Sequence, residues 1–253
     1  MDLVSADDAA PKWLANGEVG RAPAARLGVA VVREIVDSIV TEQVPAGTTL
    51  PPEGTLSSHF GVSRTVIRES VKRVEEKGLV TVAQGRGTTV NPASSWNMLD
   101  PVVLSSLVDN DDTLGVLDEL AVVRGSLEAS MAGAAATRRT DDDLAALRAL
   151  TQRMETSLGD AEENNQADAE FHHRVMEQSG IRLAANITGI LFDRALSSTR
   201  FVGAPADEDS LRVTLAEHVA VLDAIERADS KAASEAMATH ISRAWLRRRP
   251  TAS

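Results

Sequence analysis

The distribution of proline constrains the fold of this 253-residue chain more than any other feature of its sequence. The nine prolines lie at positions 11, 23, 45, 51, 52, 92, 101, 205 and 250, so residues 102–204 and 206–249 contain none. Proline breaks helix interiors, and these two stretches are rich in the helix formers Ala, Leu, Glu and Arg. Apolar residues recur there at helical spacing. The C-terminal part is therefore predicted to be all-α, with breaks near Thr140, Asp160, Gly180, Pro205 and Asp229.

The first third of the chain has a different pattern. Residues 24–42 are predicted to form an amphipathic helix, and a short helix ends at Phe60 after a turn that contains proline and glycine. Gly61 and Val62 form a tight turn, and Ser63 is a suitable N-cap for a helix that reaches about Lys77. Two β-branched runs, at 79–82 and 88–90, enclose a glycine-rich tip, which is typical of a hairpin.

This order predicts a mostly α fold in which a winged helix-turn-helix precedes an all-α bundle of six to seven helices. The predicted parts are a flexible tail at residues 1–23, the winged module at 24–92, a linker with a connecting helix at 93–112, and the helical domain at 113–249.

Charge and cysteine content narrow the function further. The formal net charge of −11 argues against nucleic-acid binding, but the acidity lies in the last two thirds of the chain. Between Arg64 and Arg86, six basic residues face three acidic ones. The chain has no cysteine, which excludes disulfides, thiol catalysis and Cys-ligated zinc fingers and fits a cytoplasmic location. No run is long enough to span a membrane, and the start lacks the basic segment of a signal peptide.

The helix after Ser63 has an apolar back and a basic front. Arg64, Arg68 and Lys72 share one side of the helical wheel, with Thr65 beside them. Such a helix can enter a major groove and reach guanine edges or phosphates, while the tip formed by residues 84–86 can approach a minor groove. The alternative is a solvated charged helix face beside an ordinary hairpin.

Four residues of the helical domain suggest a metal site. Asp168 and His172 lie four positions apart on one predicted helix, while His218 and His240 lie on the inward faces of two others. Three imidazoles and one carboxylate suit Zn²⁺, Ni²⁺ or a similar ion. The alternative is a set of hydrogen-bonded core histidines with an Asp–His ion pair. The remaining histidines, His59 and His173, are expected to be structural or solvated.

Residues 50–53, 61–69, 78–80 and 85–87 resemble the DNA-binding domain of GntR-family transcription regulators. The resemblance implies a set of DNA-binding residues: Ser63, Arg64, Thr65, Arg68, Lys72, Gln84, Gly85 and Arg86. The family usually has an arginine after the Leu-Pro-Ser-Glu segment, where this chain has Gly54, so the DNA contact made by that arginine is not expected here.

Residues 168–172, 217–218 and 237–240 resemble the metal signature of the FCD effector domain, found in the FadR subfamily of these regulators. The resemblance implies that Asp168, His172, His218 and His240 hold a divalent metal, with Zn²⁺ expected and Ni²⁺ or Mn²⁺ possible. It also implies that Arg124 faces the pocket and binds an acidic effector, although Glu128 could instead neutralise it. Further effector candidates are Asn186, Arg194 and Arg200.

The segment at residues 96–104 resembles galactonate-repressor-like members, which sense sugar acids. Together these resemblances predict a homodimeric repressor, not an enzyme, that binds double-stranded operator DNA and responds to a small carboxylate such as galactonate or gluconate. The alternatives are a regulator with a structural metal and a different effector, such as an acyl-CoA or another organic acid, and a metal-dependent hydrolase.

Overall fold

The computed structural model describes residues 21–111, 114–197 and 207–249. Its elements are α1 (Arg21–Val40), α2 (Glu53–Phe60), α3 (Arg64–Glu76), β1 (Val80–Ala83), β2 (Gly87–Val90), α4 (Pro101–Asp109), α5 (Gly115–Arg138), α6 (Asp141–Thr156), α7 (Ala161–Ser179), α8 (Arg182–Ser197), α9 (Glu208–Glu226) and α10 (Ser230–Arg248). The chain divides into two compact units, Met1–Ser106 and Leu107–Ser253. This order confirms the predicted winged helix-turn-helix followed by an all-α domain. Among the described helices, none is both long and apolar enough to cross a membrane.

The first unit is built around α3. Helices α1 and α2 both pack on α3, which also contacts β1. Strands β1 and β2 pair antiparallel, with Val80 opposite Val90. The sequence prediction placed the start of the first helix at residue 24, whereas α1 begins at Arg21, so residues 21–23 are helical rather than part of a tail. Pro23 is tolerated there because a first helical turn does not need its N–H groups for internal hydrogen bonds.

The turn between α2 and α3 follows from two residues. Gly61 ends α2 with a φ of 64°, a left-handed conformation that glycine adopts without steric cost. The Ser63 hydroxyl then accepts a hydrogen bond from the Val66 N–H and caps α3. The buried residues of α3 include Ile67, Val71 and Val74, so its apolar back lies in the core as predicted.

The second unit is a helical bundle in which α5 packs against α10 and α7, and α9 packs against α10 and α6. A close approach of α5 and α10 depends on Gly133. A Cβ atom at this position would lie 2.4 Å from the Ser234 hydroxyl and 3.0 Å from the Ser230 carbonyl oxygen. The Ser234 hydroxyl donates a 2.8 Å hydrogen bond to the Ala129 carbonyl. This contact fixes the position of α10 relative to α5.

Capping residues mark the helix ends of the second unit. Thr140, Asp160 and Asp229 are the N-caps of α6, α7 and α10, and each side chain accepts a backbone hydrogen bond. Gly180 ends α7 with a φ of 68°. Four of the five predicted breaks are thereby confirmed, and the fifth, near Pro205, lies outside the described residues.

Candidate metal centre and nucleic-acid interface

Four donor side chains from three helices converge inside the second unit. Asp168 and His172 project from α7, His218 from α9 and His240 from α10, and all four are buried. The Nε2 atom of His172 lies 3.2 Å from that of His240 and 3.4 Å from that of His218. A carboxylate oxygen of Asp168 lies 3.3 Å from the His218 Nε2 atom. The structure therefore brings together the four residues that the sequence identified as candidate ligands.

The opposite nitrogen of each imidazole is held by a hydrogen-bond acceptor. The Nδ1 atom of His172 lies 2.6 Å from a Glu128 carboxylate oxygen, and that of His240 lies 3.0 Å from a Glu217 carboxylate oxygen. The Nδ1 atom of His218 lies 2.9 Å from the Thr214 carbonyl oxygen. An acceptor at Nδ1 favours the tautomer that carries its proton on that atom, and in this tautomer the Nε2 atom presents a lone pair to the other two rings.

This donor set fits a divalent metal ion. Nitrogen ligands about 2.0–2.1 Å from Zn²⁺ at tetrahedral angles lie roughly 3.3 Å apart, close to the separations between the Nε2 atoms described above. Carboxylates and carbonyls that hold the Nδ1–H groups are the outer partners that metal-binding histidines use. The alternative is a network in which the core histidines hydrogen-bond to one another. It would need a proton on at least one Nε2 atom, whereas the acceptors at the Nδ1 atoms favour a proton on Nδ1.

The pKa shifts at the site favour ligand-competent protonation states. Burial lowers the pKa of His218 to about 3, and the neighbouring His240 adds to this effect. Burial likewise lowers the pKa of His240, against the opposing effect of Glu217. Burial alone would raise the pKa of Asp168, but His218, His172 and Arg248 outweigh it and lower that pKa well below its usual range. His218 and His240 are thus neutral and Asp168 is ionised at pH 7, as metal binding requires.

Burial would also raise the pKa values of the two outer glutamates. For Glu128, the charges of Arg124 and His172 and their hydrogen bonds prevail and lower the pKa to about 2. For Glu217, hydrogen bonds from His240 and Arg247 lower the pKa to about 2. Both glutamates are therefore anionic acceptors, which supports the assignment of protons to the Nδ1 atoms.

A small cavity of about 20 Å³ lies against one side of the cluster. Asp168, His172 and His240 line it, together with the guanidinium-bearing side chains of Arg124 and Arg248. The Nε atom of Arg124 donates a 2.9 Å hydrogen bond to Glu128, so this residue both pairs with Glu128 and borders the cavity. The sequence left open whether Arg124 faces the pocket or is neutralised by Glu128, and in the structure it does both.

Of the other effector candidates, Asn186 does not line this cavity. Asn186 is exposed on α8 and donates a hydrogen bond to the Arg182 carbonyl of its own helix. The side chain of Arg194 and the whole of Arg200 lie outside the described residues. His59 and His173 are both exposed and neither belongs to the cluster of four donors.

The first unit presents the predicted DNA-binding residues on its surface. A groove between α3 and the hairpin tip is lined by Arg68, Lys72, Gln84, Gly85 and Arg86. The remaining three, Ser63, Arg64 and Thr65, are exposed at the start of α3. The hairpin is tied to α3 because Glu75 accepts a 2.8 Å hydrogen bond from the Val82 N–H. Helix α3 and the hairpin tip thus line one groove that carries the side chains of Arg68, Lys72 and Arg86.

Two arginines of this surface are already oriented by neighbours in α2. Arg68 donates two hydrogen bonds to the carboxylate of Glu53, at 2.9 and 3.1 Å. The Arg64 guanidinium lies over Gly54, where a Cβ atom would be 3.4 Å from it. The position at which the family usually has an arginine is therefore covered by the guanidinium of Arg64.

Several residues of the site were missed in the sequence. Glu217 precedes His218 on α9 but contacts His240 and Arg247 on α10. Arg248 lies at the end of α10, and Glu53 lies in a different helix from its partner Arg68. Helical periodicity assigns a residue to a face, but it does not identify the neighbouring helix that this face contacts.

Two family models match the chain. Residues 27–90 match "Bacterial regulatory proteins, gntR family", and residues 119–243 match the FCD domain. The first match covers the winged module, and the second covers the helices that carry the four donor residues.

Comparison with curated proteins and solved structures gives the same result. The chain is 32% identical to the Galactonate operon transcriptional repressor of Escherichia coli K12, over 83% of this chain and 92% of that protein. It is 27% identical to the HTH-type transcriptional repressor NanR of Cronobacter sakazakii, over 88% of this chain and 86% of that protein. A solved structure of the Listeria monocytogenes protein Lar, which controls expression of the agr system, shares the fold with a TM-score of 0.55 at 16% identity, over 88% of this chain and 96% of that one.

Proposed function

Because this chain belongs to the GntR family of bacterial regulatory proteins and carries an FCD domain, we propose that it is a cytoplasmic, homodimeric repressor whose affinity for operator DNA is controlled by a small carboxylate. Its relatives are transcription regulators, and the chain is a regulator rather than an enzyme. The proposed effector class is the sugar acids, because the most similar of the relatives described above regulates a galactonate operon.

The observation that carries this proposal is the convergence of three imidazole Nε2 atoms and one carboxylate beside a cavity that two arginines border. Asp168, His172, His218 and His240 would hold the ion, and Zn²⁺ suits three imidazoles and a carboxylate better than Mn²⁺ does. When bound, the ion supplies a Lewis-acidic position for an effector oxygen. Arg124 would hold a carboxylate through its guanidinium.

The proposed domain organisation follows the sequence prediction. In this organisation, residues 24–92 bind DNA and residues 113–249 bind the effector and dimerise. Residues 93–112 are the linker and connecting helix between these two domains. DNA contacts are proposed for Ser63, Arg64, Thr65, Arg68, Lys72, Gln84, Gly85 and Arg86. A two-fold dimer would bind a palindromic site, and the effector would act by favouring the arrangement that binds DNA less tightly.

The test is a fluorescence anisotropy titration on a duplex selected in vitro with the full chain. Galactonate and gluconate are added at fixed protein concentration, with Zn²⁺ and after chelation. A loss of DNA affinity that requires both acid and metal supports the proposal. Unchanged affinity with either acid would reject the effector class, and a response to an acyl-CoA instead would favour the alternative of a structural metal.

A matched variant separates the metal site from the DNA-binding unit. His240→Ala removes one donor in the second unit and leaves the DNA-binding residues of the first unit intact. We expect this variant to bind the selected duplex as wild type does and to lose its response to acid. A wild-type response in His240→Ala would contradict the proposed control by the metal site.

A further inference from the structure

Three consecutive arginines with different environments lie at the end of α10, the third of them as its C-cap. Arg247 donates to Glu217 at 2.8 and 2.9 Å, and Arg249 donates to Asp118 at 2.8 and 2.9 Å. Arg248, between them, makes no hydrogen bond or ion pair with another residue of the ranges 21–111, 114–197 and 207–249. It instead lines the cavity beside Asp168 and Arg124.

The position of Arg248 is fixed by its neighbours. The Trp245 indole N–H donates a 2.6 Å hydrogen bond to Asp118 at the start of α5, and the same carboxylate binds Arg249. These contacts hold the end of α10 against α5 from both sides of Arg248. Its guanidinium therefore reaches the cavity from a backbone that is already ordered, which lowers the entropy lost when it binds a ligand.

The charges around the cavity define what a ligand must supply. Glu128 balances Arg124 at a separation of 2.9 Å, and Arg248 balances Asp168 in charge. A divalent ion on the four donors then leaves two positive charges in a largely buried site. A monocarboxylate would neutralise one of them, whereas a ligand with two acidic groups would neutralise both.

We propose that Arg248 is a specificity-determining residue that binds a second acidic group of the effector, so that the site prefers dicarboxylates to matched monocarboxylates. This inference rests on the carboxylate effector proposed above. Arg248 lies beyond residues 119–243, the part of the chain that matches the FCD model. The first acidic group would lie near Arg124, and the second near Arg248.

The test is calorimetric titration of the zinc-loaded full chain with two matched pairs of acids. Galactarate and galactonate differ only in the oxidation of one terminal carbon, and malate and 3-hydroxybutyrate differ only in replacement of one carboxylate by a methyl group. In the pair whose length suits the site, we expect the diacid to bind about tenfold more tightly than the monoacid. The reason is that a charge-assisted hydrogen bond to a guanidinium raises affinity by about a factor of ten.

Three variants define the role of Arg248. Arg248→Gln should lose the tenfold preference and retain its zinc, measured by elemental analysis, whereas Arg248→Lys should keep part of the preference. Arg243→Gln, which removes an exposed arginine of the same helix, should bind all four acids as wild type does. An unchanged preference in Arg248→Gln would overturn this inference alone. If wild-type protein bound none of the four acids, the proposed carboxylate effector would fail as well.

Discussion

Glu128 offers the most demanding test of the site, because it joins the metal ligand His172 to the cavity-lining Arg124. Its carboxylate is 1% exposed and receives a 2.6 Å hydrogen bond from His172 and a 2.9 Å hydrogen bond from Arg124. The substitution Glu128→Gln keeps the shape of the side chain but removes its negative charge. The amide has only one acceptor oxygen, so one of the two donors must face an NH₂ group.

The expected loss can be estimated from this geometry. Outer carboxylates that hold a ligating histidine typically contribute 10–100-fold to metal affinity, which corresponds to about 1.4–2.8 kcal/mol. We expect a value near the upper end, because the bond is short, charged and fully buried. The measurement is competition for Zn²⁺ between the full chain and a chromogenic chelator at pH 7.

Glu235→Gln is the matched control. Glu235 lies on α10 and is largely exposed, and its carboxylate lies 3.8 Å from the Lys231 ammonium. This variant should retain the wild-type zinc affinity. If Glu128→Gln, with its folded state verified by circular dichroism, bound Zn²⁺ within threefold of wild type, the assignment of Nδ1 protons by outer acceptors would be refuted.

Three further predictions address stability and DNA binding. Chelation of the metal should lower the melting temperature measured by calorimetry, since an ion at 1,000 times its Kd stabilises the folded state by about 4 kcal/mol; an unchanged melting temperature would argue against an ion that binds the folded state. In chelator, the free energy of unfolding should fall as the pH drops from about 6.5 towards 3, because the unfolded chain protonates His218 while burial keeps the folded ring neutral. For His218→Gln, the free energy of unfolding measured in urea should depend less steeply on pH in that range. An equally steep dependence would mean that other groups cause the effect. Lys72→Gln should weaken DNA binding and reduce the slope of log Kd against log salt by about one, whereas Lys231→Gln on α10 should leave both unchanged.

The donors of the metal cluster were predictable individually, because each lies on the inward face of its own helix. Asp168 and His172 are one helical turn apart, and the inward faces of α9 and α10 follow from apolar residues three and four positions from His218 and His240. The fold was predictable for a similar reason, since Thr140, Asp160 and Asp229 cap helices through hydrogen bonds to residues only two or three positions away. The helix ends depend on interactions between residues that are close in sequence. The meeting of His172 with His240, 68 positions away, is a long-range contact that the resemblance to the FCD signature implied and the local pattern did not.

The outer partners of the cluster could not be predicted because their contacts join distant residues. Glu128 and His172 are 44 positions apart, and Glu217 and His240 are 23 positions apart. The periodicity of α9 places Glu217 next to the inward face, but only the packing of α9 on α10 shows which imidazole it holds. Arg248 was missed because the end of α10 is positioned by Asp118 on α5, which no local pattern of α10 indicates.

These long-range partners also explain why so polar a centre can be buried. Isolated, three imidazoles and a carboxylate in a bundle core would cost several kcal/mol of desolvation. Here each ring has its Nδ1 proton satisfied by Glu128, Glu217 or the Thr214 carbonyl, so the remaining polar capacity is concentrated in the Nε2 lone pairs and the Asp168 oxygen. A cation that accepts those lone pairs adds its binding free energy to the folding of the bundle. Since α5, α7, α9 and α10 all contribute either a donor or its outer partner, the ion would stabilise the packing of all four helices together.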